Sequence, residues 1–567
     1  MRLYRLAAEQ GYEPAQCNLA WCYSHGAGVT QDYEQAMYWY RLAAEKGYAR
    51  AQCNLGICYE RGRGVAQDWE EAARLYRLAA EQGDVTAQCN YGYCLDKGYG
   101  VAQDLEQAVY WYRLAAEQGD AMAQNNLGWM YDNGNGVEQD YKKALYWYQL
   151  AAKQGEPLAI VNLANSYLRG RGIKKDEKEA VRLYRVAADQ GYARAQYNLA
   201  VCYLNGSGVE QDDTQAVYWY RRAVEQGHAG AQYGLAYCYY RGDGVEKNDA
   251  EAARLFRLAA EQGHDAAMSM LGEAYLYGEG VEKDEKEAAR LYRLSAEKGN
   301  EIAQYNLGNC YANGWGVEQD DEQAVHWFGL SAAQGYASAQ NALGLRYEKG
   351  RGVAQSIDEA VRLYRLAAEQ GYAHAQCNLG WCYEDGLGVE QSWEQAVYWY
   401  KQAAEQGLAR AQCNLGVCYE NGEGVAQSWE EAVHWYRLAA EQGNPEAQSN
   451  LAWCYANGTG VEQDYAQAVH WYRLAAEQNN AYAQCNLGDC YELGHGVEQD
   501  YRQAIYWYRL AAEQDNMTAK FSLATMLEAG KGMEKNEAEA IRLYQEYARA
   551  GFRLAQQLLK ERGISWE

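Results

Sequence analysis

The sequence predicts an all-α solenoid of stacked helix-turn-helix repeats, and three observations carry this prediction. A glycine recurs every 36 residues without insertion or deletion, from Gly28 through Gly388 to Gly532. The segments on either side of it have apolar residues at helical spacing. A residue that favours helix N-caps precedes the second segment in every copy. A fixed period in this range indicates stacked supersecondary units that form one quasi-one-dimensional array.

The first helix of a representative copy spans about residues 375–385. Ala375, Leu379 and Tyr383 follow each other at i, i+4 and i+8, which predicts one buried side. Gly380 lies beside that stripe, where glycine lowers helix propensity. We expect it to let a neighbouring backbone approach closely.

Glycines end this helix, and a capped second helix follows. Gly386 and Gly388 tolerate the left-handed backbone conformation of a helix C-terminus. Ser392 begins the second helix, and Gln395 follows three residues later, which is the spacing of a capping box. Gly407 ends the second helix. Each copy is therefore predicted to be one helix-turn-helix unit.

The period divides nearly the whole chain into equal units. Residues 1–11 match the second half of a second helix, so we expect a truncated repeat there. We expect either that the chain is a fragment of a longer protein or that its start codon is assigned too late. The final residues 552–567 predict a C-terminal capping helix, apolar on one side and charged on the other. Fifteen tandem repeats lie between them, at 12–47, 48–83, 84–119, 120–155, 156–191, 192–227, 228–263, 264–299, 300–335, 336–371, 372–407, 408–443, 444–479, 480–515 and 516–551.

The repeat pattern A-x3-L-[G/A]-x2-Y-x2-G-x-G-V-x2-[D/S]-x3-A-x2-[W/L]-[Y/F]-x2-A-A-x2-G resembles the Sel-like repeat, a relative of the tetratricopeptide repeat. The resemblance covers essentially the whole chain. It implies a right-handed superhelical solenoid and a protein–protein interaction scaffold or adaptor that binds a peptide or protein in its concave groove. Members of the family serve as adaptors in membrane-protein quality control, in signalling and in bacterial contacts with host cells.

The composition limits the classes of partner. The net charge is −25, with a pI of about 4.9, which argues against nucleic acid and anionic membrane surfaces. The acidic residues either form a solvated outer face or steer a basic partner. No apolar run approaches the length of a transmembrane helix, so we expect no membrane insertion. We expect a cytoplasmic monomer.

The cysteines point to packing and not to chemistry. All 16 occupy two positions of the first helix, such as Cys377 and Cys382. A C-x4-C pair is separated by about 140° of helix rotation, which suits neither zinc nor a disulfide, so we expect free thiols. We find no catalytic, cofactor or metal site, and we expect no enzyme. The alternatives are an enzyme of the cysteine-rich, β-lactamase-labelled branch of the family, or the interaction array of an enzyme whose N-terminal catalytic domain is missing.

The side of the first helix opposite the apolar stripe is the candidate binding surface. In the representative copy it carries Cys377 and Trp381, with Asn378 beside them. The Trp381 position varies most between copies, and an asparagine recurs at the Asn378 position. Each set has an alternative interpretation, since the rings could pack against the neighbouring repeat and the amides could bond the adjacent helix. The candidate partner-binding residues are Trp21, Tyr93, Trp129, Tyr237, Trp381, Trp453, Asn18, Asn90, Asn126, Asn378 and Asn450.

Overall fold

The computed structural model describes residues 2–566, which contain 32 α-helices and no strand. First and second helices alternate, and adjacent helices pack against each other from Arg2 to Tyr277 and again from Glu285 to Glu561. The predicted all-α helix-turn-helix repeat fold is confirmed. The chain divides into two compact units, one up to Lys283 and one from Asp284 onward.

The first unit contains sixteen helices. They are α1 Arg2–Glu9, α2 Glu13–His25, α3 Tyr33–Glu45, α4 Ala49–Arg61, α5 Trp69–Glu81, α6 Val85–Lys97, α7 Leu105–Glu117, α8 Ala121–Asn133, α9 Tyr141–Lys153, α10 Pro157–Arg169, α11 Glu177–Asp189, α12 Ala193–Asn205, α13 Asp213–Val224, α14 Ala229–Arg241, α15 Asp249–Glu261 and α16 Asp265–Tyr277.

The second unit contains the remaining sixteen. They are α17 Glu285–Glu297, α18 Glu301–Asn313, α19 Asp321–Ala333, α20 Ala337–Lys349, α21 Ile357–Glu369, α22 Ala373–Asp385, α23 Trp393–Glu405, α24 Ala409–Asn421, α25 Trp429–Glu441, α26 Pro445–Asn457, α27 Tyr465–Glu477, α28 Ala481–Leu493, α29 Tyr501–Glu513, α30 Met517–Ala529, α31 Glu537–Arg549 and α32 Arg553–Glu561. None of the helices in residues 2–566 combines the length and apolarity needed to cross a membrane.

The N-caps begin the second helices as predicted. The Asp68 carboxylate accepts the backbone N–H groups of Glu70 and Glu71, each at 3.0 Å. Equivalent side-chain caps begin the fifteen second helices from α3 to α31. In α5 the third helical residue has a different role from that of a capping box, because the Glu71 carboxylate binds Arg74 at 2.6 Å.

A tyrosine of the second helix fills the space beside the first-helix glycine. Tyr400 is fully buried, and a Cβ added to Gly380 would lie 2.7 Å from its ring and 3.3 Å from the Ala396 carbonyl. The close neighbour of Gly380 is therefore chiefly an aromatic ring, where we expected a backbone. The Tyr400 hydroxyl donates a hydrogen bond to Glu384 at the end of the first helix, which gives this buried polar group a partner.

The cysteines are buried on both of their helix positions. All 16 are free thiols inside the repeats. The placement of Cys377 opposite the core was wrong, because this residue is only 1% exposed. It packs with Tyr400 of α23 and Leu415 of α24. A first helix thus has neighbours on two sides, and less of its surface stays open than a two-helix unit suggests.

Candidate functional site

The predicted aromatic column stays largely open to solvent. Trp21 is 48% exposed and Trp381 is 36% exposed. Tyr93, Trp129 and Trp453 are also exposed, whereas Tyr237 is half-buried. Large aromatic side chains with this much free area are common anchors in protein interfaces.

Several of these rings also contact other aromatic side chains. Trp453 stacks on Trp429 of the preceding second helix, with ring centroids 5.6 Å apart. Tyr93 lies 5.9 Å from Tyr99. For Trp453, packing against the neighbouring repeat therefore accounts for part of its position, as the alternative interpretation required.

Other candidates have contacts within one helix or with a cation. Trp21 stacks on His25 at 4.5 Å, and the Lys97 ammonium lies 5.2 Å from the Trp129 ring. Tyr237 lies 6.4 Å from both Tyr233 and Tyr240.

The asparagine column lies deeper than the aromatic one. Asn378 is buried, and its amide donates to the Asn341 Oδ1 atom of the preceding repeat at 2.9 Å. Asn162 and Asn54 donate in the same way, to Asn125 Oδ1 at 2.9 Å and Cys17 Sγ at 3.7 Å. At these positions the amide joins neighbouring first helices.

The remaining candidate asparagines have mixed positions. Asn126 accepts a hydrogen bond from Asn125 at 3.3 Å. Asn90 and Asn450 are half-buried, and Asn18 is exposed. Of the candidate amides, Asn18 therefore has the most open surface.

A cleft in the second unit brings two of the predicted residues together. Trp381, Asn378 and Cys377 line a cavity of about 270 Å³. Its other walls are Leu345, Glu348, Lys349, Arg410 and Asn414, from α20 and α24. The remaining aromatic candidates lie on other repeats.

Arg410 is held in this cleft by neutral partners. Its guanidinium donates to Cys377 Sγ at 3.2 Å and to the Asn378 side-chain oxygen. Burial raises the pKa of the Cys377 thiol, and Arg410 only partly offsets that shift. The thiol therefore stays protonated near neutral pH and is a poor nucleophile.

A second cavity of about 320 Å³ borders the first, because Leu345 and Lys349 line both. Its apolar walls include Tyr305, Phe328 and Tyr372, and Arg346, Lys349 and Arg351 supply its charges. We call the two cavities together the α18–α24 groove. It lies entirely within the second unit.

The cationic residues of this groove were not among our sequence-based candidates. One signal was available: Arg346 stands where neighbouring copies have a cysteine, as at Cys310 and Cys382. In the structure Arg346 lies over the Phe328 ring at 5.9 Å and pairs with Asp321. The residue that departs from the repeat pattern, Arg346, therefore lies in the wall of the groove.

Comparison with known protein families matches the chain in segments that repeat with the same period. The family model for the Sel1 repeat matches residues 1–12, 13–48, 49–84, 85–120, 121–156, 157–192, 193–228, 229–264, 265–300, 302–336, 337–372, 373–408, 409–444, 445–480, 481–516 and 518–552. The chain belongs to the Sel1 repeat family. Proteins built from such repeats generally mediate protein–protein interactions, and their solenoid fold is typical of non-enzymatic scaffolds.

Solved structures of Sel1 repeat proteins resemble this chain. A protective antigen present in uropathogenic Escherichia coli strains and displaying an SLR fold is 37% identical, with a TM-score of 0.61; the match covers 80% of this chain and 97% of that one. A Sel1 repeat protein from Oxalobacter formigenes is also 37% identical, with a TM-score of 0.39, over 40% of this chain and 91% of that one. No curated protein matches the chain.

Proposed function

We propose that this Sel1 repeat protein is a scaffold that binds a protein or peptide on the exposed face of its first helices. The observation that carries the proposal is the cleft around Trp381, where an exposed ring, Leu345 and polar side chains converge. A large ring at this position is not required for packing, because other copies have Val417 or Thr525 there. A partner that covered the ring would remove apolar surface from water.

The first prediction concerns Trp381. We expect Trp381→Ala to leave the thermal melting curve nearly unchanged and to weaken partner binding by about tenfold or more, since truncation of a buried interface tryptophan often costs about 2 kcal/mol. The matched control is Tyr398→Ala, which removes an exposed aromatic of α23. Binding would be measured with a purified partner by fluorescence anisotropy.

The partner would be found by photo-crosslinking from a benzophenone amino acid placed at position 381 or, as the control, at position 398. Crosslinks specific to 381 support the proposal. Equal crosslinking from both positions, or unchanged binding by the Trp381→Ala variant, would assign the contact surface elsewhere. A large fall in melting temperature would show that the ring is structural.

A further inference from the structure

The charges of the α18–α24 groove differ in sign from the charge of the whole chain. We propose that this groove binds an acidic, extended segment of a partner protein, with an apolar side chain of the segment seated against Trp381 and Leu345. This rests on the proposed scaffold function and adds the chemistry of the ligand. The overall charge of −25 by itself suggests the opposite, a basic partner.

The first step is the sign of the groove. Four cationic side chains line its two cavities, namely Arg346, Lys349, Arg351 and Arg410, against the single carboxylate of Glu348. That carboxylate already accepts a hydrogen bond from Tyr364 at 2.6 Å.

The second step is that most of these cations lack a counter-charge. Arg346 pairs with Asp321. Within residues 2–566, Lys349, Arg351 and Arg410 form no salt bridge. Arg410 is fixed instead by the neutral acceptors Cys377 and Asn378. A cation held in place without an anion loses little side-chain entropy when a carboxylate arrives, and the charge-assisted bond then adds affinity.

The third step is the backbone at the same surface. Helices α20, α22 and α24 have Tyr336, Tyr372 and Leu408 as N-cap residues, which make no side-chain cap. The flanking first helices α18 and α26 are capped by asparagines. The N-terminal ends of the three uncapped helices contribute Ser338, Tyr372 and Arg410 to the groove. Free N–H groups at helix N-termini favour negative charge, the same sign of ligand that the cations favour.

The fourth step is the shape of the ligand. The cavities hold about 270 and 320 Å³ and lie side by side, with Leu345 and Lys349 lining both, so one ligand that contacts both must be elongated. Aromatic and aliphatic side chains line the cavities together with the charged ones, namely Tyr305, Phe328, Leu345 and Trp381. An extended peptide offers side chains of both kinds, and its charge complements the groove.

The test uses phage-displayed random dodecapeptides selected on the intact protein. We expect the enriched sequences to gain Asp and Glu together with a bulky apolar residue. The best peptide, made with a fluorescent label, should bind Lys349→Gln/Arg410→Gln about tenfold more weakly than the wild type by anisotropy. Its affinity for the wild type should fall as salt rises.

The matched control is Arg365→Gln/Lys401→Gln, which removes the same charge from second helices and should change affinity by less than about twofold. Arg410→Lys should restore part of the binding. Lys349→Gln alone keeps the test valid if the Arg410 variant unfolds, because Lys349 is exposed.

Several outcomes would overturn the inference: no acidic enrichment, no selected binder, or equal binding by the double variant. Tighter binding of a single-stranded oligouridylate than of the peptide would also do so. If neutral peptides bind in a way that depends on Trp381 but not on Arg410, the scaffold proposal stands and the acidic ligand falls. If binding depends on neither residue, both fail.

Discussion

At the scale of single residues, Gly100 and Gly119 differ in the reason why their positions favour glycine. Both have positive φ, 68° and 96°. A Cβ on Gly100 would lie 2.0 Å from the Trp69 carbonyl oxygen of the preceding repeat, whereas one on Gly119 would meet nothing within 4 Å. Position 100 therefore favours glycine because of both its backbone conformation and its close contact, and position 119 because of its conformation alone.

This difference predicts unequal effects of alanine. Gly119→Ala should destabilise by about 1 kcal/mol, the cost of a left-handed non-glycine residue. Gly100→Ala should cost several times more, since the backbone of two repeats must also separate. Hydrogen exchange of α5 and α6 would report the local loss. Equal protection in the two variants would mean that the close approach at Gly100 relaxes freely.

At position 479 the chain itself shows that the conformational demand can be met without glycine. Asn479 stands where most copies have the Gly119-type residue, and it adopts φ of 68°. Asparagine tolerates this region better than other side chains. The residue type at such positions therefore follows from backbone geometry, which the repeat period made visible in the sequence.

At the scale of helices, the sequence predicted more of the fold than of the site. The 36-residue period and the N-caps located the second helices, and the structure begins α23 at Trp393, directly after Ser392. Helical angles correctly placed Trp381 on an open side. They failed for Cys377, because the position of a residue on its own helix does not reveal that α24 lies beside it.

The groove was harder to predict for the same reason. Most of its residues come from several first helices that are 36 residues apart, and their charges meet only after the repeats stack. A search for recurring residues favours the column of aromatics and asparagines. It passes over Arg346, which replaces a recurring cysteine, and over Arg410, which stands at a position that varies between copies.

The helix caps allow a direct test. Asp68→Ala should destabilise the start of α5 by about 1 kcal/mol, because Asp68 accepts two backbone N–H groups. Asp68→Asn is the control, since asparagine caps equally well and Asn248 does so in another copy. Urea denaturation followed by circular dichroism would measure both. A loss in the asparagine variant as large as in the alanine variant would assign the effect to charge and not to capping.

At the scale of the whole molecule, the buried thiols recur through both units. We predict that iodoacetamide modifies all 16 cysteines after denaturation without reductant, and few of them in the native protein at neutral pH. Burial both blocks access and raises the pKa of thiols such as Cys94, to about 12. Mass spectrometry would count the adducts. A count well below 16 in the denatured chain would reveal disulfides.

The same burial makes the folding stability depend on pH in the alkaline range. Burial raises the pKa of Cys58 and of Cys202 from 9.0 to about 11. Below pH 9 these thiols are protonated in both the folded and the unfolded chain, so they give no pH dependence. Above it the unfolded chain releases protons first, and stability falls until the folded pKa near 11 is reached. The slope is up to about 1.4 kcal/mol per pH unit for each thiol.

Cys58→Ala and Cys202→Ala isolate this effect, because each removes one titrating thiol. Alanine fits this position, since Ala274 occupies it in another repeat. We expect each variant to be less stable than the wild type at neutral pH. The difference between the free energies of unfolding of the wild type and of the variant should narrow as pH rises from 9 towards 11. Urea titrations across that range would measure the gap, and the core tyrosines and surface charges common to both proteins cancel in the difference. Parallel curves for the variant and the wild type would show that the folded thiols ionise as readily as the unfolded ones, and that water reaches the repeat cores.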